Sequence, residues 1–264
     1  MAALDLRVDA VARSLLRRRP VVREAQSVDT IPHLAGPIVN PHLEEPLYSI
    51  TDAARFTGLR PQTVANWVRG YRLANNDRQS PLTLTATVGG KLSFLNLVEV
   101  HMLRAFRRVH GVPMQRVRKA VERLRSDYQE KWPLIRRDFR TDGWNVIIAD
   151  GEVFKDISQA DQQVLKAWVD RYARQVNFAD GAAGLPIRFF PLPLEGEYRA
   201  IDRDRQIMIA PDIRFGRPAI AGVPTLAIVE RLDAGETFEQ IAADFGLDAT
   251  DVERAAMWER GSAA

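Results

Sequence analysis

Apolar residues recur every three to four positions through most of this chain, and every second position in a few short runs. The run Tyr48-Ser49-Ile50-Thr51-Asp52-Ala53-Ala54-Arg55-Phe56-Thr57-Gly58-Leu59 predicts a short helix. Ser49 or Thr51 caps it, Gly58 stops it, and Ile50, Ala53, Ala54 and Leu59 form its buried side. A second helix starts at Arg60-Pro61-Gln62, with proline at the first helical position, where its missing N–H costs nothing. Val64, Trp67 and Val68 make the inner stripe of that helix, and Gln62, Thr63, Asn66 and Arg69 its polar face. Two short helices around a glycine turn, the second polar outside, make a helix-turn-helix. Leu82-Thr83-Leu84-Thr85-Ala86 then alternates, Gly89-Gly90 turns, and Lys91-Leu92-Ser93-Phe94 returns, which predicts a two-stranded wing.

Further along, Asn96 to Arg125 predicts two helices broken at Gly111-Val112-Pro113. The second runs from Met114 to Tyr128, with Val117, Val121 and Leu124 inward and Arg116, Arg118, Lys119, Arg123 and Arg125 outward. Trp144 to Gly151 reads as a strand and turn, Ala160 to Val176 as an amphipathic helix, and Ile187 to Phe190 as a strand. Ile207-Met208-Ile209 is a short strand before Pro211. Three helices follow: Leu226 to Leu232, one opened by Glu236-Thr237 with Phe238, Ile241, Ala242 and Phe245 inward and Gly246 as its stop, and Ala249 to Glu259. Ahead of all these, Leu4 to Arg19 predicts an amphipathic helix ended by Pro20, and a Pro-containing stretch reaches Pro46.

The fold class expected is mainly α with short β elements (α+β), in four parts. They are an arm at 1–46, a winged helix-turn-helix at 47–130, an α+β connecting or dimerising region at 131–200, and a C-terminal three-helix domain at 201–264. Composition fits a globular chain, with 46% hydrophobic and 27% charged residues. No stretch approaches the roughly 18 apolar residues of a membrane span. The first residues lack the pattern of a signal peptide, so a cytoplasmic protein is expected. Cysteine is absent, which excludes disulfides and thiolate metal sites, and His33, His42, His101 and His110 have no zinc spacing.

Charge sharpens the picture. Residues 1–140 carry 24 basic and 13 acidic side chains, and residues 141–264 carry 13 and 21. The net charge of +3 therefore hides a basic half and an acidic half, one suited to a polyanion and the other to a different partner. On the DNA side, Arg60, Gln62, Thr63, Asn66 and Arg69 of the recognition helix, with Arg72 and the wing residue Lys91, are the candidate contacts. Such side chains read base edges in the major groove or meet phosphate. The last helix opens acidic, with Asp248 and Asp251, which repels phosphate, so the C-terminal module is read as protein-binding. Neither a phosphate-cradling glycine loop nor a nucleophile elbow occurs, so no enzyme, metal or cofactor is expected. Asp202, Asp204 and Asp212 form an acidic group that reads as turn-forming.

Two resemblances cover about half the chain. Residues 48–125 resemble the MerR-type winged-helix domain, through Tyr48-Ser49-Ile50, Ala53-Ala54-Arg55, Gly58-Leu59, Thr63-Val64, Trp67, Gly89-Gly90 and Asn96-Leu97. The match departs at Ala65, where that family usually carries arginine, so Arg69 or Arg72 must supply the phosphate contact. Residues 205–258 resemble the small domain of uncharacterised function encoded beside PIN-like ribonuclease toxins. The match runs through Ile207 to Thr225, Gly235 to Ala242 and Asp251 to Ala255. Together they resemble a Vap-type antitoxin of a type II toxin–antitoxin pair. The resemblance implies operator DNA and a PIN-like toxin as partners, autorepression, and a homodimer matched to a two-fold operator. Because the nuclease centre of such toxins is acidic, Arg214, Arg217 and Arg254 become candidate toxin contacts. A stand-alone MerR-like regulator with a ligand- or partner-binding C-terminal half is the alternative.

Overall fold

The structure is a computed structural model that describes residues 40–70, 72–73, 76–79, 84, 88–108, 114–128, 131–135, 163, 166–167, 170–179, 184–192 and 201–261. The expected helix at 4–19 and the expected strand at 144–151 lie outside the described residues. Mostly helical, with short antiparallel strands, the architecture is the α+β one expected.

The helix-turn-helix forms as read. Helix α1 (Ile50–Thr57) starts at Ser49, which makes a reciprocal capping box with Asp52, each side chain bonding the other's backbone N–H at 3.0 Å. Gly58 ends it in the left-handed conformation. Helix α2 (Pro61–Arg69) buries Val64, Trp67 and Val68, the stripe expected. On α1, Phe56 and Thr57 are also buried, beyond the expected set.

The wing differs. Gly89 and Gly90 lie in a short helical turn, Val88–Gly90, and Leu92 forms an isolated bridge with Tyr48. Ser93 then caps a helix instead of continuing a strand: Ser93 Oγ accepts from Asn96 N–H at 3.2 Å, and Asn96 Oδ1 accepts from Ser93 N–H at 3.1 Å. Helix α3 (Phe94–Arg108) follows at once. The described hairpin lies earlier, β1 (Arg72–Leu73) against β2 (Asn76–Gln79). Of the expected outgoing strand, only Leu84 is described, fully buried and donating its N–H to Trp67 O at 3.0 Å.

Helix α3 has no basic side along its first turns. Every residue from Leu92 to Leu103 is buried. Helix α4 (Met114–Tyr128) packs on it through Val117 and Val121. Arg118, expected outward, is buried, and Arg125 reaches the buried Glu99 at 3.1 Å. The helix expected through Val176 ends earlier, because Val176 opens strand β3 (Val176–Phe178). Strand β3 pairs antiparallel with β4 (Pro186–Phe189). Ile209 bridges onto Phe189 and Met208 onto Ala219, which carries pairing toward the small hairpin of β5 (Ala219–Ile220) and β6 (Val223–Pro224).

The C-terminal helices are α5 (Thr225–Asp233), α6 (Phe238–Phe245) and α7 (Ala249–Gly261). Thr237 caps α6 with a Gln240 capping box, and Gly246 stops it in the left-handed conformation. Phe238, expected inward, is exposed, because Ile241 and Ala242 one turn later already fill the small core with Ile220, Ile228, Leu247, Val252 and Ala255. A larger core runs from Leu43 through α1 to α4, past Tyr172 and Phe189, and ends at Trp258 on α7.

Candidate nucleic-acid interface and the module joined to it

The polar face of α2 is the candidate DNA surface. Arg60, Gln62 and Arg69 are exposed, while Thr63 and Asn66 are half-buried on the same helix. Gln62 Nε2 donates to Asn66 Oδ1 at 2.8 Å, one turn apart, so the two amides form a single ridge. The first turn of α2 carries no acid, which leaves its N-terminal N–H groups compatible with phosphate. Lys91 is exposed at the entry to α3, and the backbone of Arg72 lies in β1. Thus Gln62, Thr63, Asn66 and Arg69 share one short helix with Arg60 at its N-cap, and Lys91 follows the Val88–Gly90 turn instead of lying in a wing strand.

Buried polar groups hold this platform. Glu99 lies in the α3 interior, and burial pushes its carboxyl up to about 7, against the lowering pull of Arg125 and Asn96. His101 sits between the rings of Tyr172 and Phe189, centroids 4.7 and 4.6 Å away, with Nε2 3.0 Å from Tyr172 O. Burial, aided by Arg104, pushes it down to about 3 despite that backbone bond, so the ring stays neutral. Arg104 also donates to Thr57 O at 2.5 Å, against the glycine that ends α1. A helix four turns long thereby orients the turn that presents α2.

The C-terminal module is fastened directly to the helix-turn-helix. Trp258 of α7 stacks on Phe56 of α1, ring centroids 6.2 Å apart, and Arg55 lies over the Trp258 ring at 5.8 Å. Arg55 pairs with Glu259, which also accepts from the hydroxyl of Thr225 at the start of α5. None of this joint was expected. Trp258 follows an exposed Met257 on a helix with a broad polar surface, and its partner is two hundred positions away in the chain.

The acidic start of α7 is consumed internally. Buried Asp251 pairs with Arg205 at 2.7 Å and Arg254 at 2.5 Å, and Arg205 also holds Asp248 at 2.5 Å. Arg254, a candidate toxin contact, therefore faces its own domain. Arg214 and Arg217 are exposed on the loop Arg214–Gly216 and its exit, and Arg214 Nε donates to Gly222 O at 2.9 Å. The acidic group divides: Asp202 caps a single turn at Arg203–Arg205, Asp204 lies 3.6 Å from Arg188, and Asp212 stands exposed. Among the described residues no helix is long and apolar enough to cross a membrane.

Residues 46–121 match the family model described as a putative DNA-binding HTH domain, and residues 207–257 match a protein family of unknown function. Over 76% of this chain and 89% of the relative, the sequence is 31% identical to the "Putative antitoxin VapB45" of Mycobacterium tuberculosis. It is 26% identical to the uncharacterized protein Rv2308 of the same organism, over 81% of this chain and 90% of that one. Among solved structures, the crystal structure of Rv2018 from Mycobacterium tuberculosis matches with a TM-score of 0.61 at 26% identity. It covers 81% of this chain and 99% of the other.

Proposed function

This chain belongs to the family of the "Putative antitoxin VapB45", and from that premise we propose that it is the antitoxin of a type II toxin–antitoxin pair, neutralising a PIN-like ribonuclease and repressing its own operator. Its N-terminal module is a DNA-binding helix-turn-helix domain. In this reading Gln62, Thr63 and Asn66 meet base edges, with Arg60 beside them, and Arg69, Arg72 and Lys91 meet phosphate. The arm at 1–46, the MerR-like reader at 47–130, the connecting region at 131–200 and the partner-binding domain at 201–264 are its parts. Two copies bind one operator, since inverted half-sites match a two-fold dimer. The protein acts by binding and catalyses nothing.

The observation that carries the reading is the opposed treatment of two helix starts. Helix α2 opens free of acids toward solvent, while α7 opens on carboxylates held by its own arginines. One end suits a polyanion and the other does not. The test is co-expression of tagged full-length chain with the product of the neighbouring reading frame, followed by capture and promoter binding. Capture of a small nuclease whose toxicity this chain suppresses, together with salt-dependent promoter binding, is the expected result. Promoter binding with no captured partner would leave a stand-alone regulator. That second reading has one observation in its favour: an open cleft of about 360 Å³ whose lining includes Arg174, Arg188 and Arg203, suited to a small anion.

A further inference from the structure

Three consecutive residues between Ile213 and Arg217 lie in the left-handed region: Arg214 at φ +49°, Phe215 at φ +54° and Gly216 at φ +72°. Only glycine adopts this conformation without steric cost. For Gly216 the reason is local, because a Cβ there would overlap the hydroxyl of Tyr48 and crowd Leu47 at the entrance to the helix-turn-helix. Arg214 gains an internal anchor from its Nε bond to Gly222 O, in a turn where Ala221 is left-handed as well. Phe215 has no comparable return. The residue is 85% exposed, the most exposed large apolar residue described. A glycine would make the same turn at lower conformational cost, so the aromatic ring is not there for the fold.

The surroundings say what the ring meets. Arg214, Phe215, Gly216 and Arg217 hold two cations and no acid, in a half of the chain that is otherwise net acidic. Aromatic and arginine side chains are the types that dominate binding energy at protein interfaces. The loop is braced from behind by Tyr48 and from the side by Gly222, so little freedom is lost on docking. We infer that Phe215 is the anchor with which the C-terminal module seats on a protein partner, entering an apolar pocket rimmed by carboxylates. The inference rests on the antitoxin reading, in which that partner is the nuclease toxin. Arg217 contacts the acidic rim, and Arg214 is a positioning residue that holds the loop in shape.

The experiment compares full-length wild type with Phe215→Ala and Phe215→Gly, each co-expressed with the PIN-type protein of the neighbouring reading frame. Affinity, thermal midpoint, promoter binding and sedimentation are read for all three. Both variants should weaken capture at least about 30-fold, as truncation of an interface anchor does. Promoter binding should be unchanged, and the midpoint should hold for alanine and rise by about 2 °C for glycine, which relieves the left-handed strain. Capture within twofold of wild type would overturn the inference and leave the antitoxin reading standing. A steep fall in the midpoint of both variants would overturn it as well, by making Phe215 a packing residue. Loss of a dimer with toxin capture intact would assign the loop to a second copy of this chain and overturn the stated partner. No capture by wild type would overturn the inference and the toxin reading together.

Discussion

The molecule builds the same local unit twice and finishes it in opposite ways. At α1–α2 and at α6–α7, a capping box opens the first helix, a left-handed glycine closes it, and a second helix follows. In the first unit, Ser49 and Asp52 start the helix, Gly58 stops it, and α2 turns Gln62 and Arg69 to solvent. In the second, Thr237 and Gln240 start it, Gly246 stops it, and α7 turns Asp251, Val252, Ala255 and Trp258 inward. The difference is therefore in what the second helix presents, not in backbone syntax. An open helix start without acids suits a phosphate-bearing ligand, whereas one filled by an internal carboxylate is closed to it. Shape alone does not decide what a helix-turn-helix binds.

The largest break in that contrast is expected at the joint between the two units. Trp258→Ala removes the ring that stacks on Phe56 and should cost about 3–5 kcal/mol. Denaturant unfolding would measure the loss, and hydrogen exchange across 50–69 should rise with it. Unchanged exchange there would mean that the two units are stable independently. Next comes Asp251→Ala, which leaves Arg205 and Arg254 without their buried partner and exposes the start of α7. A loss of about 2–3 kcal/mol is expected, against about 1 kcal/mol for Asp52→Ala in the matching box of α1.

On α2, the helix proposed to read DNA, the expected effects fall on binding instead of folding. Asn66→Ala frees Gln62 from its intrahelical bond and should cut discrimination between operator and mismatched sites by about 1–3 kcal/mol. Arg69→Ala should weaken all DNA sequences alike and reduce the salt slope by about one contact. Titrations at several salt concentrations separate the two, and a sequence-selective loss at Arg69 would move it to the base-reading set.

The smallest net effect is expected with pH. Glu99 has its folded pKa raised above the unfolded one, so the folded state holds the extra proton. Its contribution is fully present below about 4.5 and is lost as pH rises to about 7. His101 runs the other way, losing stability as pH falls from 6.5 toward about 3, and the two overlap. Glu99→Gln should remove only the first slope, so wild type minus variant stability should fall between pH 4.5 and 7. A flat difference would show that Glu99 ionises as freely when folded as when unfolded.

What was legible in the sequence was what is decided within a few residues. Ser49, Gly58, Pro61, Thr237 and Gly246 act on their own turns, and the helices they bound were read nearly to the residue. The stripe Val64, Trp67 and Val68 was legible for the same reason. Lys91-Leu92-Ser93-Phe94 alternates like a strand, yet the Ser93–Asn96 capping box competes with that pattern and wins, because α3 then buries one residue after another. Long-range pairings left no local mark. Arg118 reads as a surface cation and is buried, Phe238 reads as core and is exposed, and Trp258 gave no sign of Phe56. Of the candidate site, the shared face of Gln62, Asn66 and Arg69 was legible from helical spacing. The strained presentation of Phe215 was not, since Gly216 alone announces a left-handed backbone and nothing in Arg214 or Phe215 says that they share it.

The joint of Arg55 and Phe56 with Trp258 and Glu259 bears on how such a chain is inherited. A recombination that exchanged the last sixty residues for those of a distant relative would deliver a reader whose Phe56 faces water and whose Arg55 has lost Glu259. The two modules must therefore change in step, and descendants should carry matched versions of both or keep neither. Under the docking role inferred for Phe215, a lineage that changes partners would redraw Phe215 and Arg217, while Gly216 stays fixed against Tyr48 and the joint behind it.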